Sequence, residues 1–237
     1  MSKACRVVGE ILESFEKMVE IGMTTKEIEN YADERIKKLG GIAAFKGYRD
    51  YPASICVSVN DEVVHGIPSS RKIAEGDIVS IDLGVYMDGF YGDGAVTLTM
   101  GKVDNTTSQL VKVTEAALYL GIEKAVEGRR ISDISHAIQK YVEDNGFSVV
   151  RLFVGHGIGR SLHEEPQIPN YGAPGQGPRL KRGMTLAIEP MVNAGTYEVE
   201  ILKDGWTAVT ADRKKSAHFE HTVLVTADKP RILTKCN

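Results

Sequence analysis

The chain has 237 residues, 42% of them apolar and 26% charged, enough for one large or two small domains that bury about 70% of the unfolded surface. A formal net charge of -3 gives no electrostatic reason to wrap nucleic acid or to coat an anionic membrane. The three cysteines, Cys5, Cys56 and Cys236, are too few and too far apart for a disulfide framework or a CxxC zinc site, which fits a reducing cytoplasm.

The first segment places Val8, Leu12, Phe15 and Val19 at helical spacing, and Glu10 and Glu13 interrupt the apolar run that a signal peptide would need. No later stretch approaches the roughly 18 to 20 unbroken apolar residues of a membrane span. Gly22 then precedes Ile28, Ala32, Ile36 and Gly40 in a pattern that predicts a capped amphipathic helix ending at glycine. In VSVNDEVVHGIP (57–68), His65 follows a strand and precedes a turn. The stretch IVSIDLGVYMDGFYGDGAVTLTM (78–100) carries Asp88-Gly89 between two alternating runs, a strong signal for a two-residue hairpin loop. That loop would pair Met87 with Phe90, Val85 with Gly92, Gly84 with Asp93 and Asp82 with Ala95. Asp82 and Asp93 then lie diagonally on one face, their Cβ atoms about 7 to 8 Å apart at most, with open space beside them at Gly84.

Gly128 precedes Ile134, Ile138, Val142 and Gly146 with the spacing seen after Gly22, an offset of 106 residues. GDIVSID (76–82) and GMTLAIE (183–189) each run from a glycine through a β-rich segment to an acid, 107 residues apart. The agreeing offsets suggest one domain, 1–237, built from two related α/β halves of about 1–105 and 106–237. YGAPGQGP (171–178) reads as a loop.

The stretch GHGIGRSLHEEP (155–166) fits two familiar templates only superficially. The third glycine of G-x-G-x-x-G would fall at Arg160, and no GK[ST] tail follows. The helical zinc-protease pattern needs a second histidine at Gln167, and Pro166 would break that helix. What remains is a glycine-rich turn bringing backbone close to a site that His156 and His163 can face.

Glu189 ends its strand before Pro190. In SAHFEHTVLVT (216–226), alternation sets His218, Glu220 and Thr222 on one face, and a glutamate in such a run ordinarily faces solvent. Asp93 alone reads as a turn cap within GDG, and His156 or His163 alone as a structural histidine. Taken together, Asp82, Asp93, Glu189, Glu220 and one histidine form an oxygen-rich set with four negative charges, suited to two divalent ions such as Mn, Fe(II), Co or Zn.

From about Lys3 to Asp228 the sequence resembles the type I methionine aminopeptidases of bacteria. The resemblance runs through YPASICVSVNDEVVHGIP, GDIVSIDLGVYMDGFYGD, FVGHGIGRSLHEEPQIPNYG, GMTLAIEPMVNAG and HFEHTVLVT. It implies an α/β pita-bread fold, a mostly antiparallel sheet backed by helices, with the active site on the concave face. It further implies that Asp82 binds one metal, Asp93 and Glu220 bridge two, and His156 and Glu189 complete the second. A hydroxide bridging the two ions would attack the first peptide carbonyl, with Glu189 as proton shuttle and His65 and His163 contacting substrate. Tyr48, Tyr51, Cys56 and Trp206 would wall the methionine pocket. Phe45 and Leu162 stand where some relatives carry cysteine and phenylalanine. Asn60 and Ser216 match positions that some relatives use for a monovalent cation. The start is several residues short of many relatives. The implied substrates are nascent polypeptide N-termini with a small second residue, met in the cytoplasm by a monomer that associates transiently with ribosomes.

Three rivals share the fold. A proline-specific aminopeptidase or prolidase would keep the acidic ligands, but VNDEVVHGIP and the lack of a large preceding domain argue against it. A non-catalytic binding module would have lost ligands that are intact here. A type II enzyme would need an insertion of some sixty residues, for which there is no room.

Overall fold

The computed structural model describes residues 1–235. Helix α1 (Ser2–Met18) buries Val8, Ile11, Leu12 and Phe15, and α2 (Thr25–Lys38) buries Ile28, Ala32 and Ile36, as the apolar spacing requires. A reciprocal capping box between Thr24 and Glu27 starts α2. Helix α3 (Asn105–Ile122), capped by Asp104, was not foreshadowed by the spacing argument. Its buried residues include Leu110, Val113, Ala117 and Leu118, a broad surface pressed on a neighbouring helix as well as on the sheet, so no narrow stripe stands out. Helix α4 (Ile131–Asp144) follows the predicted Ile134, Ile138, Val142 pattern.

The strands in chain order are β1 (Ile42–Ala43), β2 (Cys56–Val59), β3 (Glu62–Val64), β4 (Ile78–Met87), β5 (Phe90–Thr99), β6 (Ser148–Val149), β7 (Gly155–Gly157) and β8 (Glu164–Ile168). They continue with β9 (Thr185–Ile188), β10 (Met191–Asn193), β11 (Val199–Ile201), β12 (Ala208–Thr210), β13 (Ser216–His218), β14 (Glu220–Leu224) and β15 (Arg231–Ile232). The main sheet runs β1-β4-β5-β14-β9-β7-β8, with β2 also on β4 and β15 on β14; its pairings are antiparallel. Two small sheets, β13-β10-β6 and β11-β12-β3, complete it.

The β4–β5 hairpin has the predicted register, Gly84 opposite Asp93 and Asp82 opposite Ala95. Asp88 (φ 52°) and Gly89 (φ 82°) are both left-handed, as a loop of this length needs to match strand twist. The paired glycines of the repeat also agree in hand: Gly22 with Gly128, Gly40 with Gly146, and Gly76 with Gly183 have positive φ between 80° and 94°.

Helices cover one face of the main sheet. Val8, Ile11 and Phe15 of α1 and Ile28 and Ile36 of α2 pack with Val57, Ile81 and Leu83, while Leu110 and Leu118 of α3 and Ile134 and Ile138 of α4 pack with Leu186, Ile188 and Val223. Helix α1 lies so close to β5 that a Cβ on Gly92 would come within 2.7 Å of the Cys5 backbone nitrogen, and one on Gly94 within 3.0 Å of Leu12 and Val8. Alternation then turns Asp93, the residue between them, to the opposite face. Asp93 is therefore a mid-strand residue; the turn-cap reading of GDG does not hold.

The run 216–226 is not one continuous strand. Phe219 separates β13, which pairs with β10, from β14, which lies between β5 and β9 at the centre of the main sheet. The ordinary reading of Glu220 as solvent-facing fails because helices cover one face of the sheet and, on the other, Glu220 lies at the bottom of a cavity lined by Tyr51, Cys56, His65 and Trp206, where it is 2% exposed.

Candidate metal centre

Register places the acids. Asp82 and Glu220 both pair with Ala95, from β4 on one side and β14 on the other, so the three stand in one row across the sheet. Glu189 directly follows Ile188, which pairs with His221, and so comes beside Glu220 at the end of the same row. The neighbouring row holds Asp93 and Gly84, and His156 opposite Ala187, which pairs with Thr222. Thr222 fixes the Asp93 backbone in both directions: its hydroxyl accepts from Asp93 N at 3.0 Å and donates to Asp93 O at 2.8 Å.

Ligand atoms of Asp93, His156 and Glu220 lie within 4.8 Å of one another, and all three residues are buried. His156 Nε2 is 3.5 Å from Glu189 Oε1 and 4.0 Å from Asp93 Oδ2. Asp82 and Glu189 line the same cavity. His156 Nδ1 lies 2.9 Å from the Gly157 carbonyl. A proton on that nitrogen donates to the carbonyl and leaves Nε2 with a free lone pair facing the acids, the orientation a metal-ligating histidine requires.

Burial pushes the Asp82, Glu189 and Glu220 carboxyls well above the ordinary carboxylate range, and Asp93 up to about 7, with mutual repulsion adding to it for the first three. Among the described residues, Asp82 Oδ1 and Glu220 Oε1 are buried without a hydrogen-bond partner. Four acids held together with orphaned oxygens and a histidine lone pair match what divalent cations neutralise. The donor set fits such ions.

Above this floor is a cavity of about 150 Å³. Phe45, Tyr48, Tyr51, Cys56, His65, Leu162, His163 and Trp206 all line it, so every expected pocket residue and both expected substrate-side histidines are brought together. Tyr51 is fixed by its hydroxyl, which donates toward the Gly66 carbonyl at 3.0 Å, and its ring meets Trp206 edge-on at 5.1 Å. His65, at φ 61°, is turned out of β3 by a left-handed backbone and packs edge-on against Phe153 at 5.2 Å. His163 stacks on Tyr48, whose hydroxyl is 2.8 Å from His163 Nδ1, and its ring centre is 4.2 Å from that of His156. Burial lowers both His65 and His163 to about 4, with the His163 ring adding to the first effect and His156 and then Arg49 to the second.

Two sequence expectations need correction. Gly84 does not leave open space beside Asp93: a Cβ there would meet the Phe45 ring at 2.6 Å, so the glycine admits that ring to the cavity wall. The GHG segment is strand β7, and Gly155, Gly157 and Gly159 are not left-handed; the first two admit the Ala187 and Glu165 carbonyls at distances a side chain would forbid, and the third lies tightly against the Glu164 carboxylate. They serve close packing, not turning.

Asn60 and Ser216 are also adjacent, Ser216 N donating to the Asn60 carbonyl at 2.8 Å. The Asn60 side chain is engaged elsewhere, by Asp77 and by Ile78 N. The sequence reading missed Arg49, which lines the cavity beside Tyr48. Nothing in YRDY marks it, because its position follows from a left-handed backbone that local propensity disfavours.

Residues 1–227 match metallopeptidase family M24. The chain is 53% identical to methionine aminopeptidase 1 of Bacillus subtilis over 99% of its own length and 95% of that protein's. It is 50% identical to the crystal structure of the Thermotoga maritima methionine aminopeptidase, with a TM-score of 0.98 over 100% of this chain and 95% of that one. The prolidase of Pyrococcus furiosus, 22% identical with a TM-score of 0.80 over 100% of this chain and 63% of that one, shares the pita-bread fold. The chain belongs to metallopeptidase family M24 and, within it, to the methionine aminopeptidases.

Proposed function

We propose that this chain hydrolyses the first peptide bond of nascent polypeptides that begin with methionine followed by a small residue. The observation that carries the reading is the division of one cavity into an acidic floor and an aromatic wall. Asp82, Asp93, His156, Glu189 and Glu220 would hold two divalent ions, drawn from Mn, Fe(II), Co and Zn, which when bound supply Lewis acidity and a water of lowered pKa.

The chain's own groups do the rest. A free α-amine, which only the first residue has, can approach the ion-bearing floor, and this restricts cleavage to that residue. Glu189, at the end of the acidic row, takes a proton from the attacking water and passes it to the departing amine. His65 and His163, kept neutral by burial, offer ring N–H donors to the scissile carbonyl as charge develops on it. For His163 the Tyr48 hydroxyl engages Nδ1 and leaves Nε2 free. Tyr51, Cys56, Trp206, Phe45 and Leu162 exclude water and hold a flexible thioether side chain.

The matching glycines and strand-end acids support two related halves, and Asn60 with Ser216 supports a monovalent cation between their segments. No helix among the described residues is long and apolar enough to cross a membrane. We read the protein as a cytoplasmic monomer in transient association with ribosomes, in keeping with nascent chains as substrates. Metal-free protein titrated with Mn, Fe(II), Co or Zn should recover cleavage of Met-Ala-Ser, but not of Ala-Pro-Gly or N-formyl-Met-Ala-Ser. Release of proline-adjacent residues instead would overturn the reading.

A further inference from the structure

We propose that Arg49 reads the charge of the substrate segment leaving the cavity and gives a preference for an acidic over a basic third residue, an inference that rests on the methionine aminopeptidase reading above. Apart from the four floor acids and the histidines, Arg49 is the one charged residue in the cavity lining. It is exposed, and among the described residues no carboxylate lies within 4.0 Å of its guanidinium. Its neighbour is the Tyr48 ring, 5.5 Å from Arg49 Cζ to centroid. Its guanidinium donors are therefore available to a ligand at the rim.

The backbone fixes where that side chain starts. Gly47 (φ 81°), Arg49 (φ 49°) and Asp50 (φ 70°) are all left-handed, and two of the three carry a side chain that disfavours it. Gly47 N donates to Tyr51 O at 2.8 Å and Tyr51 N to Tyr48 O at 3.0 Å, closing the loop. Both flanking tyrosines are anchored, Tyr48 at His163 and Tyr51 at the Gly66 carbonyl. The tip that carries Arg49 is thus held from both sides at the rim.

Substrate polarity supplies the rest. In that reading the free amino terminus sits at the ion-bearing floor, so the chain beyond the cleaved bond runs outward past the rim. An extended chain advances about 3.3 Å per residue, which sets the third residue roughly 7 Å beyond the first, at the mouth. Asp50 is also exposed but does not line the cavity, so it dampens the local field without reversing it.

The test compares kcat/KM of the metal-loaded enzyme on Met-Ala-Asp-Gly and Met-Ala-Lys-Gly, with Met-Ala-Ser-Gly as reference. The native enzyme should favour the aspartyl peptide about five- to tenfold at low ionic strength, and less at high salt, as for any exposed charge. Arg49→Gln should bring the ratio near one, and Arg49→Glu should invert it. Trp206, the chain's one tryptophan, reports binding of the same peptides to metal-free protein by fluorescence, where Arg49→Glu should shift relative affinity toward the lysyl peptide. Cleavage of the reference peptide with a native ratio near one, or a ratio indifferent to Arg49→Glu, overturns the proposal. Failure to cleave the reference peptide at all overturns the underlying reading instead.

Discussion

The floor and the rim of the cavity are built by different means. Floor residues stand in two adjoining rows of one antiparallel sheet, fixed by ladder register and backed by helices. Rim residues hang from loops: Tyr48 and Arg49 on a left-handed tip, His65 just past β3, and Trp206 beyond β11. Regular structure holds the groups whose mutual spacing must be exact, and irregular structure holds those that recognise a variable substrate. Substitutions at the floor should therefore abolish chemistry, and substitutions at the rim should grade it.

The largest effect is expected from Glu220→Ala, which removes a central member of the acidic row. Turnover should fall by at least about a thousandfold, and calorimetric titration should show loss of tight divalent binding. Retained stoichiometric binding of two ions would break the distinction between floor and rim.

Next is Gly92→Ala. Its Cβ would meet the Cys5 backbone at 2.7 Å with no flexible side chain to yield, so chemical denaturation should show a loss of about 2 to 3 kcal/mol.

His163→Ala should lower kcat/KM by about ten- to a hundredfold, the range for one removed transition-state donor or somewhat less, while metal content stays unchanged. Equal metal loss in His163→Ala and Glu220→Ala would merge the two regions. Tyr48→Phe, which removes only the hydroxyl at His163 Nδ1, should cost about threefold to tenfold, consistent with about 1 kcal/mol for one hydrogen bond.

Stability against pH sharpens the same contrast. Asp93 is raised to about 7 from an unfolded value of about 3.9, so its contribution to metal-free protein is present below about pH 4 and lost as pH climbs through about 7. His65 and His163 are lowered to about 4 from about 6.5, so theirs is present above about pH 6.5 and lost as pH falls through about 4. Metal binding requires deprotonated carboxylates. The rise in melting temperature on adding saturating Mn should therefore be larger at pH 8 than at pH 5.5. A rise independent of pH would mean that the floor acids are not the ligands.

The sequence revealed the floor unevenly. Asp82 and Asp93 could be placed on one face because Asp88-Gly89 sets a two-residue loop and the loop sets the register. Glu220 could not, because alternation tells which residues share a face but not whether a central strand leaves that face wet. Helix α3 escaped notice for a related reason, its apolar residues serving two neighbours at once. The rim was legible only through family resemblance, and Arg49 not at all, since a left-handed arginine leaves no periodic trace. The GHG segment was recognised as a place of close approach and Gly84 was misread as open space; what approaches them is two carbonyls and a ring from distant parts of the chain.

The glycines on either side of Asp93 leave the wall between helix α1 and the acidic floor a single backbone thick. At Gly92 helix backbone meets strand backbone directly, and at Gly94 only Val8 and Leu12 intervene, so a shift of α1 is passed on to the strand that carries the Asp93 carboxylate. The outer surface of that helix is consequently a place from which a designed ligand or cross-link could tune the site without entering it.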